Sequence, residues 1–97
     1  MILSFADAGT EDIYHGRDSR KARSACPQQI WDVARRKLDA IWQATKPLDL
    51  KAPPQNKLEA LKRDRAGQHA IRINDQYRIC FRWTEAGAED VEITDYH

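Results

Sequence analysis

Apolar positions recur at helical spacing through one stretch of the chain and at every second residue through its last third. Ile30, Ala34, Leu38 and Ile41 fall on one helical stripe, with Trp31 and Trp42 flanking it. Pro27 suits the first turn of that helix, which is predicted to run over residues 27–44, and Lys46-Pro47 stops it. Arg35, Arg36 and Asp39 then lie toward solvent. Nearer the start, residues 2–5 read as a short strand. Residues 8–15 read as a short helix, ended by Gly16 in a left-handed cap. Residues 17–25 are polar and basic and are predicted to form a loop. Residues 51–56 carry Pro53 and Pro54, which exclude helix and predict an extended connector.

Alternation begins at residue 68. Over 68–74, Ile71 and Ile73 share one face and Arg72 the other, and Asp75-Gln76 makes a turn. Tyr77, Ile79, Phe81 and Trp83 then share a face, opposite Arg78, Cys80 and Arg82. Residues 85–88 form a second turn, and Val91 and Ile93 mark a last strand that runs into Asp95-Tyr96-His97. The order is strand, helix, helix, then a three-stranded antiparallel meander. It predicts an α+β fold with the helices packed on one sheet face, in a single domain over residues 1–97. The other sheet face, with Arg78 and Arg82, is left partly open.

With 97 residues, of which 41% are apolar and 32% charged, the chain is expected to fold around one small core. A net charge of +1 argues against a whole-molecule grip on a polyanion. The distribution says more. Basic residues gather between Arg17 and Lys37 and again between Lys57 and Arg82. After Arg82 come only Glu85, Glu89, Asp90, Glu92 and Asp95. Local basic patches beside an acidic end suit a polyanion held in one place. The apolar start is too short for a signal peptide, no stretch reaches transmembrane length, and Cys26 and Cys80 fit no metal motif. A cytoplasmic protein with reduced thiols, no membrane and no metal or other cofactor is expected.

The chemistry concentrates at the end of the chain. Arg65, Arg72, Arg78 and Arg82 belong either to a solvated sheet face, paired with Glu89 and Glu92, or to a phosphate site, because forked planar donors match phosphate oxygens. Arg65 and Arg78 approach the same sheet end as Asp95, Tyr96 and His97, which favours the second reading. His97 is either a frayed terminal residue or a general acid, its imidazolium favoured by the adjoining α-carboxylate. Tyr96 is a core-edge ring or a stacking platform for a base. Glu59 and Asp95 are ion-pair partners or proton acceptors. Lys62 and Arg63 are either solvated surface charges or, with Lys57, an extension of the basic patch. Neutralised charge, a held base and a mobile proton are what RNA cleavage requires.

These residues also carry a resemblance that covers nearly the whole chain. The segment Leu58-Glu59-Ala60-Leu61-Lys62-Arg63-Asp64-Arg65-Ala66-Gly67 resembles the L-x-x-L-x-G-D-R-x-G segment of HigB toxins in the RelE-type toxin–antitoxin superfamily. The opening residues, the pair Ile71-Arg72-Ile73-Asn74 and Tyr77-Arg78-Ile79-Cys80-Phe81, and the terminal Asp95-Tyr96-His97 resemble other parts of that pattern. The resemblance implies a RelE-like fold and a metal-free, ribosome-dependent mRNA endonuclease. It implies a HigA-type helix-turn-helix antitoxin as partner, with operator DNA reached only through that antitoxin. It assigns catalytic roles to Asp95, Tyr96, His97, Arg65 and Arg78; by their charge, Lys57, Lys62, Arg63, Arg72 and Arg82 are expected to bind RNA. Three positions depart from the pattern. Arg63 replaces a glycine, Tyr77 replaces a tryptophan, and Glu59 stands where some members have a catalytic histidine, for which glutamate is a weaker base. Two other functions fit the same residues: a non-catalytic RNA- or ribosome-binding module, and an interaction domain whose working surface is the antitoxin site.

Overall fold

In the computed structural model, which describes residues 1–96, the helical stripe is the centre of the core. Helix α3 spans Trp31–Gln43 and buries Trp31, Ala34, Leu38 and Ile41, the last three without measurable exposure. Trp31 was expected beside the stripe; it lies in the core instead, because its indole Nε1–H donates to the Cys26 carbonyl at 3.0 Å and so can be buried without loss. The predicted first turn of the helix is a separate 3-10 turn, Gln28–Ile30, and Ile30, expected on the stripe, is only partly buried there.

Helix α1, Ala8–Tyr14, starts at Asp7, whose carboxylate accepts from the Thr10 N–H at 2.6 Å. The stretch expected as a loop contains a second helix, α2, Arg20–Ala25. Ala22 is its only buried residue, so it has almost no apolar stripe to read. It is held by a cap and by contact with α1. Ser19 accepts from the Ala22 N–H at 3.0 Å and donates to Asp12 of α1 at 2.6 Å. Gly9 allows the two helices to touch: a Cβ there would lie 2.4 Å from the Lys21 carbonyl oxygen. The connector expected to be extended over residues 51–56 follows a 3-10 turn, Pro47–Lys51, and itself coils into a second, Pro54–Asn56. Buried Asn56 fastens them, donating to the carbonyls of Leu50 at 3.1 Å and Ala52 at 3.2 Å and accepting from Lys37.

The sheet has four antiparallel strands in sequence order: β1 (Glu59–Ala60), β2 (Gln68–Arg72), β3 (Tyr77–Thr84) and β4 (Gly87–Asp95). The three-stranded meander is present, with β1 added on its outer edge. The first residues of the chain form no strand of their own in that sheet. Ile2 and Phe5 instead bridge parallel to Ala88 and Val91 along the β4 edge. Ile71, Ile79, Phe81, Val91 and Ile93 face the helices and join α3 in the core. One irregularity interrupts the β3–β4 ladder. Cys80 pairs with Glu92 but Arg82 pairs with Glu89, so β4 carries one extra residue, and Asp90 takes a positive φ of 54° beside it.

Candidate functional site

Register assembles the face of the sheet that the helices leave uncovered. Pairing places three cross-strand rows on it: Glu59, Ala70, Cys80 and Glu92; Arg72, Arg78 and Thr94; and Gln68, Arg82 and Glu89. Ala70 and Cys80 are fully buried and form its floor. Long polar side chains stand around them.

Arg72 and Arg78 are directly opposed across β2 and β3. Like charges in that position repel, so an anion between them is favoured. Arg78 Nη1 donates to the Asn74 carbonyl at 3.0 Å, and its Cζ lies 4.9 Å from the centre of the half-exposed Tyr96 ring. Arg72 Nη1 lies 3.3 Å from Asp75, whose side chain is fully exposed, while Arg72 Nε is buried and has no hydrogen-bond partner among the described residues.

Arg65 enters from outside the strands, at the end of the 3-10 turn Arg63–Arg65. Its Nη1 donates to Gln68 Oε1 at 2.9 Å and its Nη2 to Glu92 Oε1 at 3.1 Å. Arg82 lies against Gly67, where φ is +91° and a Cβ would come within 2.6 Å of the Arg82 Nη1. The left-handed backbone is what calls for glycine there, since the mobile end of the Arg82 side chain could move aside. Lys57, Lys62 and Arg63 are exposed around β1, with Lys57 and Arg63 at positive φ of 48° and 58°.

Asp95 and Tyr96 face opposite ways. Strand alternation turns Tyr96 onto the arginine face and Asp95 onto the face of the helices, where it pairs in register with Tyr77 and accepts from Gln76 Nε2 at 3.1 Å. Burial and then the Asp95 charge push the Tyr77 hydroxyl pKa up. His97 lies outside the described residues. The structure therefore gathers Glu59, Arg65, Arg72, Arg78, Arg82 and Tyr96 on one surface and separates Asp95 from them. Glu92 and Gln68 belong to that surface as well. The alternation of Glu92 with Val91 and Ile93 signals its face in the sequence, and the pairing of arginines with Glu92, one of the two readings the sequence left open, is realised at Arg65.

Among the described residues, no three histidine, cysteine or acidic side chains come together as metal ligands, and no helix is long and apolar enough to cross a membrane. Both cysteines are free and buried. Burial pushes the Cys26 thiol up to about 11 and raises that of Cys80, against the lowering effect of Thr94 and Arg65. Both thiols are therefore expected to resist a thiol-reactive dye at pH 8 in the folded protein and to react fully in denaturant. Fast labelling of native protein would contradict this burial.

An α+β fold with this sheet recurs in a chain of the YoeB–YefM complex from Staphylococcus aureus. It aligns with a TM-score of 0.61 over 100% of this chain and 95% of that one, at 16% identity. The two share an architecture. Sequence gives the family. A model of the HigB-like toxin, the RelE-like toxin of type II toxin–antitoxin system HigB, matches residues 3–97. Toxin HigB-1 of Vibrio cholerae is 34% identical over 88 residues, which cover 91% of this chain and 90% of that protein. An uncharacterized protein of Haemophilus influenzae is 37% identical over 60 residues, 62% of this chain and 59% of that one. The chain belongs to the HigB-like family of RelE-like toxins of type II toxin–antitoxin systems.

Proposed function

We propose that this toxin is a ribosome-dependent endoribonuclease that cuts mRNA and so arrests translation, with residues 1–97 acting as one toxin domain. The observation that carries the reading is the opposition of Arg72 and Arg78, with the Tyr96 ring against Arg78 and Arg65 on the same open face. Clustered guanidiniums beside an exposed aromatic ring match an RNA phosphate next to an unstacked base.

In the proposed reaction the 2′-hydroxyl attacks the adjacent phosphorus and the bond from phosphorus to the 5′-oxygen breaks. Glu59, registered on the arginine face, accepts the 2′-hydroxyl proton; Asp95, on the opposite face, is the less direct candidate. Arg65 and Arg78 stabilise the charge that builds on the phosphorane oxygens. Tyr96 stacks on a base and turns the backbone toward in-line geometry. His97, adjoining Tyr96 in sequence, protonates the leaving 5′-oxygen. The products are a 2′,3′-cyclic phosphate and a 5′-hydroxyl, with no metal required. Lys57, Lys62, Arg63, Arg72 and Arg82 hold the flanking backbone. The ribosome supplies substrate alignment that so small a surface does not impose alone.

The partner in this reading is a HigA-type helix-turn-helix antitoxin, which neutralises the toxin and through which operator DNA is reached. Primer extension on mRNA from cells expressing the toxin tests the activity. Discrete new 5′ ends within translated regions are expected. Growth arrest with intact messages would instead indicate a non-catalytic ribosome-binding module.

A further inference from the structure

Glu92 has a consequence for the site that its exposure alone does not suggest. Its carboxylate reaches Arg65 from β4, 27 positions along the chain, while Gln68 takes the neighbouring nitrogen of the same guanidinium. Arg65 needs such anchors. It belongs to no strand and ends a short 3-10 turn whose first residue, Arg63, has a positive φ of 58°. An arginine side chain on such a turn has many rotamers of similar energy and would otherwise sweep the open face.

The side chains of Arg65 and Glu92 are 32% and 33% exposed, so solvent screens the pair and it adds little to stability. Its effect is to fix where the guanidinium stands. The two acceptors engage one N–H on each terminal nitrogen, and a guanidinium carries further N–H donors with which to meet an anion.

We propose that Glu92, acting with Gln68, is a positioning residue that holds the Arg65 guanidinium over the Cys80 row, where it meets the scissile phosphate beside Arg78. The proposal rests on the nuclease reading above. A carboxylate this close to an anion-binding arginine has one competing role: it could occupy Arg65 and exclude phosphate. The two roles have opposite signatures. Loss of an anchor lowers the maximal rate, whereas loss of a competitor lowers the half-saturating concentration.

Single-turnover cleavage on programmed ribosomes separates them, with Glu92→Ala, Glu92→Gln, Arg65→Ala and the Arg65→Ala/Glu92→Ala double variant. Glu92→Ala is expected to lower the maximal rate by roughly 10- to 100-fold with little change in the half-saturating concentration, as for a misplaced catalytic group. Glu92→Gln keeps an acceptor oxygen without the charge and should stay within about threefold of wild type. In the Arg65→Ala background, Glu92→Ala should add no further loss, because the group it positions is gone. The Arg65 side-chain Nε–H resonance gives a readout apart from activity: it should lose order in Glu92→Ala and keep it in Glu92→Gln.

Native rates for Glu92→Ala, an equal loss in both backgrounds, tighter ribosome binding without a slower maximal rate, or an unchanged Arg65 resonance would each overturn the positioning role. A wild-type toxin that leaves translated message uncut would overturn the nuclease reading and this proposal with it. A wild type that cuts, beside an unimpaired Glu92→Ala, would overturn this proposal alone.

Discussion

Arg78→Ala is expected to slow cleavage of translated mRNA by roughly 10²–10³-fold, the cost of removing one preorganised donor from a charged transition state. Arg78 stands at the centre of the proposed site. Arg72 opposes it across the strands and the Tyr96 ring packs against it. Its side chain is half-buried on the sheet face away from the helices, so its removal leaves the core between α3 and the sheet untouched. The variant should therefore melt close to the wild type while losing growth inhibition. Arg78→Lys should recover only part of the rate, since an ammonium keeps the charge without the planar fork. A folded Arg78→Ala protein that cleaves at the native rate would remove Arg78 from the chemistry.

The largest expected effect on stability is at Leu38. This side chain is fully buried where α3 meets the sheet. Truncation to alanine removes its apolar surface and leaves a cavity that the rigid strands cannot close, at a cost of about 2–5 kcal/mol. Urea denaturation of Leu38→Ala beside wild type measures it directly. A loss below about half a kcal/mol would mean that the stripe of α3 does not pack as a core.

What could be read from the sequence was what long periodicity and burial enforce together. The stripe through Ala34, Leu38 and Ile41 and the alternation through Ile79 and Phe81 both reached the core, because a register error in either would expose many apolar side chains at once. Short elements were not legible. Helix α2 buries only Ala22 and is held by Ser19 and the Gly9 contact, and β1 is a pair of residues. The arginine face was legible for the same reason as the fold: Arg72 and Arg78 alternate with core isoleucines, so their shared face follows from the strand pattern. That same period of two separates Asp95 from Tyr96, although grouping them as one terminal motif hides it. The Arg65–Glu92 pair joins a turn to a strand 27 positions away, and no local pattern encodes a contact of that kind.

Cleavage of a defined message by purified toxin, with and without programmed ribosomes, tests the central claim most directly. In the proposed reaction the ribosome supplies the substrate alignment that the arginine face alone does not impose. Discrete cuts in ribosome-bound message are therefore predicted, in the presence of a chelator, with 2′,3′-cyclic phosphate and 5′-hydroxyl ends and little cutting of the same RNA alone. Intact message on toxin-bound ribosomes would contradict the account and leave the arginine face as a binding surface.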